Sequence, residues 1–386
     1  AIRAGLGAIG FVLPNFSGKE ESVKQFISRH LGPEVFSKMI DPFVSGVYAG
    51  DPSKLSMQSA FKKIKALEDL GITQGLVEGA IIRLRQRKRE APPPDPELPT
   101  YKGGSLGSFK KGLGMLPEAV RSRLTDSRVL LSHSVEDIVH DAESEYPYRV
   151  TLARSDGSQV IVNTKKLALT TPARATASLL RQNLLKGQEQ VLSALESVVY
   201  PTVFSVTLAY PNEAFREPLR GFGNLIPRSM KVRTLGTIWS SCLFPGRCPE
   251  GETLLLSYIG GDQDQSIKEL SEEQVAKQVH EDISKILLKD GAKDSVQPRI
   301  VGVRKWDRAI PQYNIGHGAV IENLLKEVDA RYANGLYLGG NYLSGVAFGD
   351  CVLWGTETAG EIRKQLDSEA ESKKSPKVSQ TASAVA

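Results

Sequence analysis

Gly339-Gly340-Asn341, followed closely by Gly345-Val346, is the stretch of this 386-residue chain best suited to hold a ligand by its backbone. An apolar run over 335–340 leads into it and a helix start follows. A strand, a glycine turn and a helix N-terminus leave N–H groups and a positive dipole end free for phosphate or other acceptor oxygens. A second cluster, Gly5-Leu6-Gly7-Ala8-Ile9-Gly10, satisfies G-x-G-x-x-G literally. That pattern has meaning only between a buried strand and a helix. Four residues precede it here, and Phe11-Val12-Leu13-Pro14 stands where the helix should run, so it reads as a glycine-containing loop.

Other candidate chemistry is thin. Arg83, Arg85, Arg87, Lys88 and Arg89 crowd the end of a helical run, where cations suit the dipole. No aromatic or groove-reading pattern accompanies them, so nucleic acid is set aside and an anionic membrane surface is the better partner. His30, His133, His140, His280 and His317 never reach metal-ligand spacing, and His280 reads as a surface residue of its helix. Cys242, Cys248 and Cys351 are odd in number and lack CxxC spacing, which fits a reducing compartment. A nucleophile elbow is absent as well. Neither hydrolase nor metal chemistry is implied, and no metal ligand or catalytic residue is assigned.

The elements that must position these residues are mixed. Formal net charge is +5, with 40% hydrophobic and 24% charged residues, ordinary for a globular chain. No apolar run reaches the roughly 18 residues that a membrane-spanning helix needs. Ser17 with Glu20 fits a capping box ahead of Val23, Phe26, Ile27 and Leu31. Pro33 opens a helix to Ile40, and residues 45–52 read as a loop punctuated by glycine and proline. A further helix carries Leu55, Phe61, Ile64 and Leu67 to Gly71, before the proline-rich stretch 91–98. Asp156-Gly157 marks a two-residue hairpin between strands at 148–154 and 159–162. A short buried strand follows at 166–170. Strand-like runs at 203–210, 234–243 and 253–259 imply an antiparallel sheet, and Ser271 with Gln274 caps an amphipathic helix to Leu288. The fold class expected is α+β.

Three segments carry a resemblance. Asp41–Met57, reading DPFVSGVYAGDPSKLSM, closely resembles a run of the plastid-type protoporphyrinogen oxidase family, within the flavin amine-oxidase-like superfamily. Leu235–Arg247, LGTIWSSCLFPGR, is similar to that family's LGT-x-x-SS-x-LFP-x-R. Gly335–Cys351, GLYLGGNYLSGVAFGDC, is similar to its GLFLGGNY-x-x-GVALG-x-C. They stand in collinear order over roughly 1–364.

The resemblance implies an FAD enzyme oxidising protoporphyrinogen IX to protoporphyrin IX with oxygen as acceptor, in heme and chlorophyll synthesis. It assigns Gly46, Gly50, Leu225, Ile238 and Tyr258 to the substrate, and Val135, Trp306, Gly340, Asn341, Gly345 and Val346 to the cofactor. The implied fold joins an α/β FAD-binding part to an antiparallel-sheet substrate domain and a helical lobe. The domains expected are a membrane-facing helical lobe at 1–75, substrate-binding parts at 76–115 and 173–300, FAD-binding parts at 116–172 and 301–364, and a disordered tail at 365–386. The family's dinucleotide-binding βαβ and its propionate-binding arginine would precede residue 1. Asp350 stands where the family usually has arginine, and Leu353-Trp354-Gly355 replaces Glu-Gly-Ala; both changes are expected to alter surface packing more than cofactor contact. Plastid location, mitochondrion second, a peripheral membrane surface and a homodimer complete the expectations. The alternatives are another flavin oxidase of this fold, such as an amine oxidase or carotenoid desaturase, or a non-catalytic remnant.

Overall fold

Burial alternates along much of Val203–Pro211 and Glu252–Gly260, because successive side chains of a strand point to opposite faces, and the centre of the fold is a sheet with two unlike faces. The computed structural model describes residues 17–71, 75–90, 106–125 and 127–374, with 5, 12, 15 and 96. Apart from Gly5, the Gly5–Gly10 cluster lies outside the described residues, as do most of 91–98 and everything after 374.

Strands run in chain order as β1 (His133–His140), β2 (Tyr148–Arg154), β3 (Gln159–Thr164), β4 (Leu167–Leu169), β5 (Val203–Pro211), β6 (Gly223–Leu225), β7 (Thr234–Ile238), β8 (Glu252–Gly260), β9 (Arg299–Trp306) and β10 (Leu336–Leu338). The chain divides into two units, Ala1–Leu131 with Val199–Gly318, and Ser132–Val198 with Ala319–Ala386.

In the first unit an antiparallel sheet has the order β6-β7-β8-β5-β9. One face packs on the helix Glu272–Ile286, burying Phe204, Val206, Leu208, Leu255 and Ile259 against Val275, Val279 and Ile283. That helix starts as expected, since Ser271 accepts from the Gln274 amide while the Gln274 side chain accepts from the Ser271 amide. His280, expected at the surface, is buried in this interface. Its Nδ1 meets the Tyr210 hydroxyl at 3.0 Å and its Nε2 the Lys293 carbonyl at 3.1 Å. Burial pushes the Tyr210 phenol up, so it stays protonated.

The helical part of this unit departs from expectation in three places. The first helix is Val23–Leu31, and its capping box is Ser22 with Gln25, not Ser17 with Glu20. Glu20 instead accepts hydrogen bonds from the Ser56 hydroxyl and the Gly316 amide. Of the stretch read as a loop at 45–52, residues 45–48 belong to the helix Asp41–Tyr48, and 49–52 are irregular as expected. A wide π-helical turn, Phe36–Ile40, precedes Pro42 and absorbs the amide that proline lacks. The helix stops at Ala49, which adopts the left-handed region with φ 49°.

The second unit holds a three-stranded meander, β1-β2-β3, and a parallel pair, β10 with β4. At the hairpin, Arg154 N–H donates to Ser158 O and Gly157 N–H to Arg154 O, so three residues turn rather than two. Gly157 takes φ +82°, the left-handed position such a turn requires. Helices Ala173–Gln182 and Glu189–Glu196, expected with the substrate domain, belong to this unit, whereas 301–318 belong to the first. The helical lobe at 1–75 is likewise part of the first unit. The last described helix, Phe348–Lys374, carries regular backbone beyond residue 364, where a disordered tail was expected.

Candidate active site

On the sheet face turned away from Glu272–Ile286, the register aligns one row across all five strands. Leu225 pairs with Gly236, Gly236 with Tyr258, Tyr258 with Ser205, and Ser205 with Arg304. Directly paired residues share a face, and Ile238, two positions along from Gly236, lies on it too. A cavity of about 610 Å³ opens here, lined by Leu225, Gly236, Ile238 and Tyr258 from the sheet and Phe43, Gly46 and Val47 from the Asp41–Tyr48 helix. Phe222, Gly223, Asn224, Leu235 and Thr237 complete it.

Four of the five substrate residues expected from sequence therefore meet at one cavity. Gly46 works there because of space: a Cβ would overlap Cδ2 of Leu225, which itself lies over Gly236. Gly50 does not line the cavity. A Cβ there would overlap Oε1 of Gln312 and crowd Leu55, so it serves the close packing of the chain below Ala49. Phe43, Val47 and Phe222 escaped sequence reasoning. The first two are four apart with Gly46 between them, a helical stripe hidden by reading this stretch as a loop.

Among the described residues, the lining carries no carboxylate, imidazole or cation. Asn224 Oδ1 accepts from Trp239 Nε1 at 3.2 Å, and burial pushes the Tyr258 phenol up, keeping it neutral. This chemistry suits a broad apolar ligand rather than acid–base catalysis. Trp306 stands on the same sheet face, half exposed, with Nε1 donating to Ser205 Oγ at 3.2 Å, but it does not line the cavity.

The second unit carries the glycine turn. β10 ends at Leu338, and Gly339 N–H donates to Leu169 O. The carbonyl of Gly340 accepts from Leu343 N, Ser344 N and Ser344 Oγ, which curls the turn on itself. Gly340 at φ +112° and Gly345 at φ +131° hold conformations closed to other residues. The N–H groups of Gly345 and Val346 meet no backbone carbonyl among the described residues, and the helix Phe348–Lys374 begins just beyond. These are the donors that a flavin's phosphate or ring oxygens would take, so the backbone fits the group.

One expectation about this turn is corrected. Asp350 packs its carboxylate directly on Gly345, and the Trp354 ring lies where a Cβ on Gly339 would be. The departures at 350 and 354 thus touch the turn itself rather than remote surface. Val135 lies in β1, beside a bulge between Val135 and Asp137, in the three-stranded meander rather than in the β4–β10 pair.

Residues 10–363 match the family of flavin containing amine oxidoreductases. The chain belongs to that family. It is 44% identical over 368 residues to protoporphyrinogen oxidase 1, chloroplastic, of Spinacia oleracea, and 43% identical over 369 residues to its namesake in Arabidopsis thaliana. These alignments cover 94% of this chain and 63% and 66% of the relatives, so the chain spans just under two thirds of their length. Coproporphyrinogen III oxidase of Bacillus subtilis is 28% identical, with 93% of this chain and 71% of that protein covered. Among solved structures, cyclohexylamine oxidase from Brevibacterium oxydans shares the fold, with TM-score 0.57, 14% identity, and 95% and 74% coverage. A structure from Exiguobacterium sp. 255-15, proposed to be a protoporphyrinogen oxidase, gives TM-score 0.64 at 22% identity, with 92% and 68% coverage.

Proposed function

We propose that this chain is the larger part of an FAD-dependent oxidase that converts protoporphyrinogen IX to protoporphyrin IX, with oxygen as acceptor, in a plastid. The observation that carries the reading is the cavity at Leu225, Ile238 and Tyr258: broad, apolar and, among the described residues, lined by no carboxylate, imidazole or cation, which supports the flat apolar body of a tetrapyrrole as its ligand. The 42–44% identity to chloroplastic relatives supports the same substrate.

When bound, flavin supplies the hydride acceptor, and the protein's part is to bind, orient and shield. Leu225 and Ile238 press one side of the macrocycle, and the Tyr258 ring covers another part of it. The N–H groups of Gly345 and Val346 would hold the flavin by its acceptor oxygens, with Gly340 and Asn341 shaping the turn. Val135 and Trp306 remain assigned to the adenine and ring ends of the cofactor on resemblance.

The helix Leu76–Glu90 supports a peripheral membrane location. Val77, Ile81 and Leu84 are exposed on it at helical spacing, and its last turns carry Arg83, Arg85, Arg87, Lys88 and Arg89. An apolar stripe beside a basic end is the pattern of a helix lying on an anionic surface.

Anaerobic mixing of the flavin-loaded protein with protoporphyrinogen IX tests the reading. Loss of flavin absorbance together with a rise in porphyrin fluorescence is expected. Flavin that is bleached by amines and not by protoporphyrinogen would move the chain to the amine oxidases. Failure to retain flavin at all would favour a non-catalytic porphyrin-binding role.

A further inference from the structure

We infer that Arg304 is the carboxylate anchor of the substrate face, a specificity residue for an anionic edge on an otherwise apolar ligand. The inference rests on the proposed tetrapyrrole substrate and adds to it the residue that reads the ligand's charge.

The row Leu225–Gly236–Tyr258–Ser205–Arg304 runs from the apolar cavity to the β9 edge. Arg304 is two strands from Tyr258, about 10 Å at the usual strand spacing. A ligand lying flat on Tyr258 and Ile238 would therefore bring its side-chain carboxylates over β9.

Side-chain contacts confirm the facing. Trp306 reaches Ser205, and the Arg304 guanidinium lies over the Trp306 ring at 5.3 Å, all on the open face. Lys305, between them, points to the other face, where it sits over Phe204 and donates to the Lys268 carbonyl.

Several other arginines of this unit are spent on carboxylates, among them Arg29 on Glu21 and Glu68, Arg233 on Asp264, and Arg299 on Glu252. Among the described residues no carboxylate pairs with Arg304. Stacking on an aromatic ring steers a guanidinium while leaving the N–H fork at its edge open. That fork matches a carboxylate in a bidentate pair.

Binding measured on the chain by porphyrin absorbance, with protoporphyrin IX and its dimethyl ester as probes, tests the assignment. Arg304→Gln is expected to weaken protoporphyrin IX binding roughly fivefold, the range of a partly exposed charged pair. It should leave the ester unchanged and flatten the salt dependence of the diacid. Arg304→Lys should recover part of the loss, and the melting temperature should not move, because the side chain is exposed. Equal affinities for the diacid in wild type and Arg304→Gln would overturn the anchor while leaving the substrate reading intact. Equal losses for diacid and ester would also overturn it, assigning Arg304 to the shape of the sheet edge. If neither porphyrin binds wild type, the tetrapyrrole reading fails and the anchor with it.

Discussion

The two faces of the β6-β7-β8-β5-β9 sheet are built from alternate residues of the same strands, yet they are finished differently. Phe204, Val206, Leu208, Leu255 and Ile259 are fully buried beneath the helix Glu272–Ile286. Their neighbours Ser205, Thr207, Leu254, Leu256 and Tyr258 are only half buried, and Leu225 and Trp306 keep 47% and 50% of their surface. The covered face also satisfies its polar groups internally. Asp282 accepts from both the amide and the hydroxyl of Thr234, and Thr237 bonds Ser257 at 2.9 Å. Among the described residues, the open face leaves apolar surface and the Arg304 guanidinium without such partners. Stability is concentrated on one face, and the proposed function puts recognition on the other, so substitutions on the two should separate the two properties.

The largest effect is expected on the covered face. Phe204→Ala should cost about 3–5 kcal/mol, because a fully buried aromatic leaves a cavity that its neighbours cannot fill. Chemical denaturation measures it, and a loss below about 1 kcal/mol would contradict a sealed core.

A pair of glycines sharpens the contrast next. Gly261 takes φ +95°, and a Cβ there would overlap the carbonyl of Ala49, so Gly261→Ala should cost roughly 2–3 kcal/mol. Gly46→Ala places its methyl against the flexible end of Leu225 inside a helix, where alanine is favoured by up to about 1 kcal/mol. It should keep the fold and reduce porphyrin affinity by pushing Leu225 into the cavity. Equal melting losses for the two variants would erase the distinction.

Away from both faces, Glu68 offers a smaller effect that depends on pH. Burial works to raise its pKa, but hydrogen bonds from His30, Arg29 and Lys65 together outweigh it and bring the group to about 2. A depressed carboxylate stabilises the fold above its unfolded value of 4.5 and loses that contribution as pH falls toward 2. Allowing for screening, on the order of 1–2 kcal/mol should disappear across that window. Glu68→Gln should flatten this part of the stability-versus-pH curve, and an unchanged slope would remove Glu68 as its source.

The smallest change in stability is expected for Ile238→Asp, at under about 1 kcal/mol, because the position is half open and its charge can stay hydrated. Binding of an apolar macrocycle should nonetheless fall sharply while flavin content is maintained. Unfolding with flavin loss would place Ile238 in the core rather than the site.

Much of this molecule could be read from local chemistry. The strands at 203–210 and 253–259 were visible as β-rich runs between turns with glycine and proline, and the helix after Ser271 by its capping box. The Gly339–Val346 turn was visible because glycines cluster there, and glycine is the residue favoured where φ is positive. Gly46, Leu225, Ile238 and Tyr258 could be nominated through family motifs, but their convergence could not, because it depends on the register of β6, β7 and β8 with a helix laid across them. Tertiary packing also overruled local signals. Pro42 did not break its helix, since a π turn ahead of it removed the need for the missing amide. His280 looked like a surface residue until Tyr210 and Lys293 supplied partners that lie far away in sequence. Asp350 and Trp354 looked like packing changes until the long C-terminal helix folded them back on Gly345 and Gly339. The chain's own residues determined which segments are strands, helices and glycine turns, because those choices rest on neighbours a few positions away. Which side chains share a face, a cavity or a charge was decided only by the fold, because those contacts join residues tens to hundreds of positions apart.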